Sequence, residues 1–132
     1  MKYCNAMLAA LAIALGSSAA FAHHSTNGIY DETLEVELVG TVKQWRFINP
    51  HPSLLIEVTD SNGETAEWDV SYGGSAVAHL SRRGYTAGTF KPGDRLKLKG
   101  APARLEGAHG LLIRDNPTYE DGSPVVVRPA AP

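Results

Sequence analysis

Apolar and polar positions alternate along most of the chain, with the period of two expected of β-strands that bury one face. Five such runs follow one another. Their apolar residues are, in chain order, Leu34, Val36, Leu38, Trp45 and Phe47; Leu54, Ile56 and Val58; Ala66, Trp68 and Val70; Leu96 and Leu98; and Leu111 and Ile113. The pattern predicts a mainly β domain.

The first run changes phase in its middle. Its apolar positions before Gly40 are even-numbered, whereas Trp45 and Phe47 after it are odd-numbered. A glycine bulge produces such a shift and bends a strand, so we expect the bend at Gly40. The segment Asn49-Pro50-His51-Pro52 then ends the run, because each proline lacks a backbone donor and restricts the residue before it.

Turn chemistry separates the later runs. Asp60 to Gly63 predicts a hairpin between the second and third strands, and Pro92-Gly93-Asp94 predicts a tight turn before the fourth. Asp121-Gly122 marks another turn. After it, Val125 to Val127 is expected to add a short pairing segment.

A short helix is predicted between the third and fourth strands. It runs from Ala76 to Arg83, with Ser75 as its N-cap and Gly84 at the C′ position. A helix at this place in a five-stranded barrel is the order of an OB-fold. We therefore predict a small five-stranded OB-like β-barrel. A plain β-sandwich is the main alternative, but it gives no reason for a single helix there.

The first 22 residues have the features of a cleaved signal peptide. Lys2 precedes an apolar run that is too short for a stable membrane anchor, and Ala20-Phe21-Ala22 matches a signal-peptidase site. We expect residues 23–132 to form one exported domain, periplasmic or secreted, with a retained anchor as the alternative. The one cysteine, Cys4, lies in the leader, so the exported domain would rely on its hydrophobic core rather than on disulfides.

The charge balance narrows the range of partners. The net charge is −2, and loss of Lys2 with the leader would make it −3. Because there is no basic stripe, we expect neither nucleic-acid binding nor, after cleavage, attachment to an anionic membrane. The chain also lacks a nucleophile elbow, an HExxH motif, a CxxC pair and a phosphate-binding glycine loop, so no enzyme is predicted.

The histidines offer the most specific chemistry. Cleavage after Ala22 would make His23 the N-terminal residue, so that its α-amine and ring could chelate one metal ion. His24 and His51 could supply further imidazoles, provided that the N-terminal segment folds back over the Asn49–Pro52 corner. Nitrogen-rich tetragonal sites favour Cu(II), so His23, His24 and His51 form a candidate copper site, with zinc also open.

Each candidate also has a structural interpretation. His23 and His24 could simply follow the cleavage site, His51 could bond a backbone carbonyl, and Asn49 could cap its own turn. His79 and His109 are interpreted as surface residues. Other groups that could form a site are aromatic rings on a barrel face (Trp45, Phe47, Trp68 and Tyr72) and carboxylates on two neighbouring strands (Glu57, Glu67 and Asp69). Core packing and a solvated face, respectively, are the simpler explanations.

Short motifs along the chain also carry a family resemblance. They are Ala22-His23-His24-Ser25, Tyr30-Asp31, Gly40-Thr41-Val42, Asn49-Pro50-His51, Asp60 to Gly63 followed by Trp68, Arg82-Arg83-Gly84-Tyr85, and Lys91-Pro92-Gly93-Asp94. In order and spacing the chain resembles an uncharacterised family of exported bacterial proteins, domain-of-unknown-function family 6152. The resemblance implies an exported OB-like barrel and supplies no activity. Pro52 departs from the family, whose members usually have an aromatic or apolar residue there, and the tail after Asn116 is longer.

These observations predict an exported small-barrel binding protein with a copper site at His23, His24 and His51. The alternative is an interaction module that binds a protein partner through a barrel face, without a metal.

Overall fold

The computed structural model describes residues 26–126, which form a closed β-barrel with one short helix. The elements are β1 (Val36–Arg46), β2 (Ser53–Thr59), β3 (Thr65–Ser71), α1 (Val77–Arg82), β4 (Arg95–Pro102), β5 (Gly110–Ile113) and β6 (Thr118–Tyr119). Within the described range, no helix is long and apolar enough to cross a membrane.

The strand order confirms the predicted OB-like barrel. β1 pairs with β4 through residues 36–41 and with β2 through residues 41–46, so one long strand serves two neighbours. β3 pairs antiparallel with β2 and parallel with β5, and β5 pairs with β4, which closes the ring. The helix lies between β3 and β4 in sequence, as predicted. A sandwich of two separate sheets is excluded.

The bulge in β1 lies later than predicted. Gly40 stays in regular register with Leu96, and the extra residue is Lys43, between Val42 and Gln44. The apolar phase change is therefore real, but Lys43 causes it. Gly40 has another role: a Cβ there would lie 3.0 Å from the Glu57 carbonyl oxygen, so the glycine lets β1 and β2 approach closely.

The turn before β4 joins β1 beside this bulge. The Val42 N–H donates to the Asp94 carbonyl oxygen at 2.8 Å, and the Gly93 N–H donates to the Val42 carbonyl oxygen at 2.9 Å. The predicted Pro92-Gly93-Asp94 turn thus extends the β1–β4 pairing to the point where β1 changes partner.

Helix α1 is capped differently from the prediction. Its N-cap is Ala76 without a side-chain cap bond, so the prediction of Ser75 was wrong. The Asn49 side chain caps it instead, since its Oδ1 accepts from the Val77 N–H at 3.1 Å. Asn49 therefore caps a helix that is distant in sequence. At the other end Gly84 has φ +99°, the left-handed conformation expected at C′.

Apolar side chains fill the barrel, including Leu54, Ile56, Val70 and Leu98. Five further rings form a cluster at the helix end of the barrel, called the aromatic plug here: Trp45, Phe47, Tyr72, Tyr85 and Phe90. The indole N–H of Trp45 donates to the Thr86 carbonyl oxygen at 2.8 Å. Core packing is thus the role of these rings. Trp68 also packs against the core but lies apart from this cluster.

The tail packs on the barrel through an extra strand. β6 pairs with Leu96 and Lys97 of β4, so the pairing segment lies earlier than the predicted Val125 to Val127. Val126 instead contributes a side chain to the core, and Val127 lies outside the described residues.

Candidate functional site

Residues Thr26–Asp31 form a segment, the N-terminal strap, that is bonded to the loop between β4 and β5. The Asp31 N–H donates to the Pro102 carbonyl oxygen at 2.8 Å, and the Arg104 N–H donates to the Ile29 carbonyl oxygen at 2.8 Å. These backbone bonds place the beginning of the described chain against the barrel wall.

The Asp31 carboxylate stabilises the end of this strap. Its Oδ1 accepts from the Thr33 hydroxyl at 2.6 Å and from the Thr33 N–H at 3.1 Å. These two hydrogen bonds, with a smaller contribution from Arg104, hold the pKa of Asp31 below its ordinary value. Asp31 is partly exposed, and its carboxylate acts as a turn-forming group.

The strap lines one side of a cavity of about 280 Å³, called the His51 cavity here. Its lining consists of Thr26, Ile29 and Tyr30 from the strap, His51 from the β1–β2 corner, Ser71 from β3, and Gly73 and Gly74. The structure therefore brings the strap and the histidine corner to one place, although 25 positions separate Thr26 from His51.

The His51 side chain is available for binding. It is exposed, while Pro52 beside it is buried and holds the corner in place. Within residues 26–126, the His51 ring makes no hydrogen bond to a carbonyl, so the structural interpretation of this residue gains no support. The Asn49–Pro50 peptide is cis. Asn49 is bound to α1 and Pro52 is buried, so both sides of the corner are anchored.

The other two proposed ligands, His23 and His24, lie outside the described residues. In the part of the chain that is described, no group of three or more His, Cys, Asp or Glu residues could hold a metal ion. His79 is exposed on α1, and His109 lines a different groove. Among the histidines of residues 26–126, His51 is the one that lines the cavity beside the strap.

The candidate carboxylates lie side by side and line neither the His51 cavity nor the mouth groove defined below. Glu57 and Glu67 face each other across β2 and β3, and Asp69 lies opposite Leu55. Lys43 forms an ion pair with Glu57 at 3.2 Å. A solvated strand face describes these residues better than a pair placed across a cleft.

A second opening lies where β1 and β3 begin and β2 ends. This mouth groove has a volume of about 600 Å³. It is lined by side chains that include Leu38, Val58, Trp68 and His109. The alternating pattern placed Trp68 on an inward face, but the approach of its ring to His109, 5.2 Å between centroids, depends on a loop conformation that periodicity does not encode.

Comparison with known proteins identifies a family and no function. No curated protein matches the chain. A family model described as a family of unknown function, DUF6152, matches residues 10–114, a range that includes the strap, the His51 corner and the five barrel strands. The chain belongs to the DUF6152 family.

Proposed function

We propose that this protein is an exported binding protein that holds one Cu(II) ion between its processed N-terminus and the His51 corner. The ligands are the α-amine and ring of His23, the ring of His24 and the ring of His51. Export with cleavage after Ala22 is part of the proposal, because the amine of His23 is free only after that cleavage.

The observation that carries the proposal is the shared lining of the His51 cavity by Thr26 and His51. His24 precedes Thr26 by two residues and His23 by three. Since consecutive Cα atoms are about 3.8 Å apart, both residues have enough chain to reach the cavity from Thr26. A strap that ran away from His51 would have removed most of the support for this site.

The chemistry of the donors fits copper. Amine and neutral imidazole nitrogens suit Cu(II), which binds such ligands more tightly than the other divalent first-row metals. Protons compete with the metal for each nitrogen, so the affinity should fall as the pH is lowered. The residues that place His51, namely Asn49 and the two flanking prolines, limit the rearrangement required for binding.

The test is a Cu(II) titration of exported, processed protein whose N-terminal His23 has been verified by mass spectrometry. We expect one equivalent to bind tightly. His51→Ala, or one extra residue before His23, should weaken binding by about tenfold or more, which is about 1.4 kcal/mol. His79→Ala is the matched control, because this exposed histidine lies on α1, and it should bind like the wild type.

Two results would contradict the proposal. Unchanged copper affinity in the extended protein would show that the amine is not a ligand, and unchanged affinity in His51→Ala would remove the corner from the site. Tight zinc binding with weak copper binding would assign the same nitrogens to another metal and reject copper.

A protein-binding surface is the second candidate function. Ile29 and Leu105 are 60% and 75% exposed, and the bond between Arg104 and Ile29 brings their two segments together. Crosslinking in intact cells should then capture a partner with the wild type and lose it with the double variant Ile29→Ser, Leu105→Ser. An equal yield from both proteins would reject this surface.

A further inference from the structure

The mouth groove has the size and composition of a ligand site separate from the His51 cavity. Its volume of about 600 Å³ lies within the usual range for small-molecule sites, and barrel mouths are frequent places for them. The aromatic plug and α1 fill the opposite end of the barrel. The two cavities share none of the residues that line them.

The floor of the groove is apolar and aromatic. Leu38, Val58 and Ala66 are half-buried there, and Trp68 is half-buried beside them. Leu38, Val58 and Trp68 also pack against the core, so the floor is backed by the barrel interior. The His109 ring, 5.2 Å from Trp68, forms one wall. An indole in such a position offers the best aromatic surface for a cation.

The rim of the groove is negatively charged. Glu37, Asp60 and Glu64 contribute to the lining, and among the described residues that line it there is no Lys or Arg. Asp60 is held by its turn, because its Oδ1 accepts from the backbone N–H groups of Asn62 and Glu64. Glu37 forms an ion pair with Lys99 at 3.6 Å, whereas Glu64 has no ion-pair partner within residues 26–126.

We propose that the mouth groove binds a small organic cation, with its ammonium group over the Trp68 ring and close to the carboxylates of Asp60 and Glu64. An anionic ligand would meet repulsion from the rim, and an uncharged one would leave these carboxylates unused. The cation is either a free small molecule or the side chain of a lysine, since both present the same ammonium chemistry.

The probe is choline, compared with its uncharged isostere 3,3-dimethylbutan-1-ol, in buffer that contains a chelator so that no metal takes part. Titration of a Trp45→Phe protein lets Trp68 report by fluorescence, since the chain has two tryptophans. We expect choline to change the emission saturably and the isostere to bind at least several-fold more weakly. Calorimetry of the unmodified protein should give the same choline affinity.

Charge removal provides the matched comparison. Glu64→Gln should weaken choline binding by roughly threefold to tenfold, since a nearby unpaired charge contributes about 1 kcal/mol even in water. Glu67→Gln removes the same charge from β3 on the face opposite Trp68 and should leave the affinity unchanged. Tighter binding of Nα-acetyllysine amide than of choline would support the proposal with a lysine side chain as the ligand.

Three outcomes would overturn the proposal: equal binding of choline and its isostere, equal losses in the two glutamine variants, or no saturable binding of any cation at millimolar concentration. Because the chelator is present throughout, none of these outcomes depends on whether copper binds at His51.

Discussion

Gly40 and Gly100 are two positions at which neighbouring strands leave no room for a side chain. A Cβ at Gly40 would lie 3.0 Å from both the Glu57 carbonyl oxygen and Ile56 Cδ1. A Cβ at Gly100 would overlap the carbonyl oxygen of Leu112 on β5. Both glycines therefore serve strand approach in the closed barrel rather than an unusual backbone conformation.

Gly40→Ala should lower the free energy of unfolding by about 1–3 kcal/mol, the usual range for overpacking. Gly100→Ala should cost more, because the overlap there is with backbone that cannot move aside without breaking the β4–β5 pairing. Gly74→Ala is the control, since a Cβ there meets nothing within 4 Å. Urea unfolding of the three variants measures the order, and an equal effect at all three positions would contradict it.

Tyr72 combines deep burial with an unsatisfied hydroxyl. Its oxygen is buried and has no hydrogen-bond partner among residues 26–126, while the neighbouring Tyr85 hydroxyl donates to Asn116 Oδ1 at 3.0 Å. Burial raises the pKa of Tyr72 well above 10, and the Tyr85 hydroxyl raises it further. Burial likewise raises the pKa of Tyr85, against an opposing effect of Arg83.

This arrangement predicts a loss of stability at alkaline pH. The folded protein keeps the Tyr72 proton at pH values where the unfolded chain has lost it. The contribution of Tyr72 to stability is therefore constant below about pH 10 and becomes unfavourable as the pH rises further. Tyr72→Phe should make this fall less steep in urea unfolding at several pH values. At pH 7 the same variant should be nearly as stable as the wild type, because the hydroxyl that it removes bonds to none of the described residues. An unchanged alkaline slope would contradict the assignment.

At the scale of elements, the residue pattern within each segment predicted the strands and turns that depend on neighbouring residues in the chain. The alternation of apolar and polar residues identified all five barrel strands. The turn residues located the hairpin at Asp60 to Gly63, and Gly84 marked the C-terminal end of α1. Two of the wrong positions show why local pattern was not sufficient. The bulge fell on Lys43 because strand pairing, and not the presence of a glycine, determines where a residue is left over. Asn49, which is distant in sequence, caps α1 in place of the predicted Ser75.

In the candidate site, too, local sequence predicted some features, whereas others depend on contacts between distant segments. A histidine between two prolines marked the β1–β2 corner, and the structure leaves that histidine exposed. The approach of the strap to His51 depends on bonds from Asp31 to Pro102 and from Arg104 to Ile29, which join segments more than 70 positions apart. No periodicity within one segment encodes such pairing. The parallel contact between β3 and β5 was likewise inferable only through the fold as a whole.

The Asn49 cap of α1 can be tested at this scale. Asn49→Ala should destabilise the protein by about 1 kcal/mol, the usual value of an N-cap, because the Val77 N–H loses its acceptor. Ser75→Ala should have little effect, since that side chain does not cap the helix. Urea unfolding midpoints of the two variants measure the difference. A larger loss of stability in Ser75→Ala than in Asn49→Ala would show that Ser75, and not Asn49, caps the helix.

At the scale of the whole molecule, a tail that follows the family match packs against the closed barrel. The match ends at residue 114, yet Asn116 accepts hydrogen bonds from both Arg83 and Tyr85. Beyond it, Pro117 and Val126 are buried, and Tyr119 and Val125 pack against the core. This tail therefore covers apolar surface of the barrel that would otherwise meet water.

Truncation after Asn116 should therefore lower the stability of the domain while leaving the barrel strands intact. Burial of an apolar side chain contributes about 1.5–3 kcal/mol, so loss of the buried tail residues should cost several kcal/mol in urea unfolding. Val126→Ala should lose part of that amount. Glu120→Gln alters the same segment only at its exposed pair with Arg95 and should stay close to the wild type. If the truncated protein unfolded at the same urea concentration as the wild type, the tail would contribute nothing to the stability of the barrel, and the prediction would be wrong.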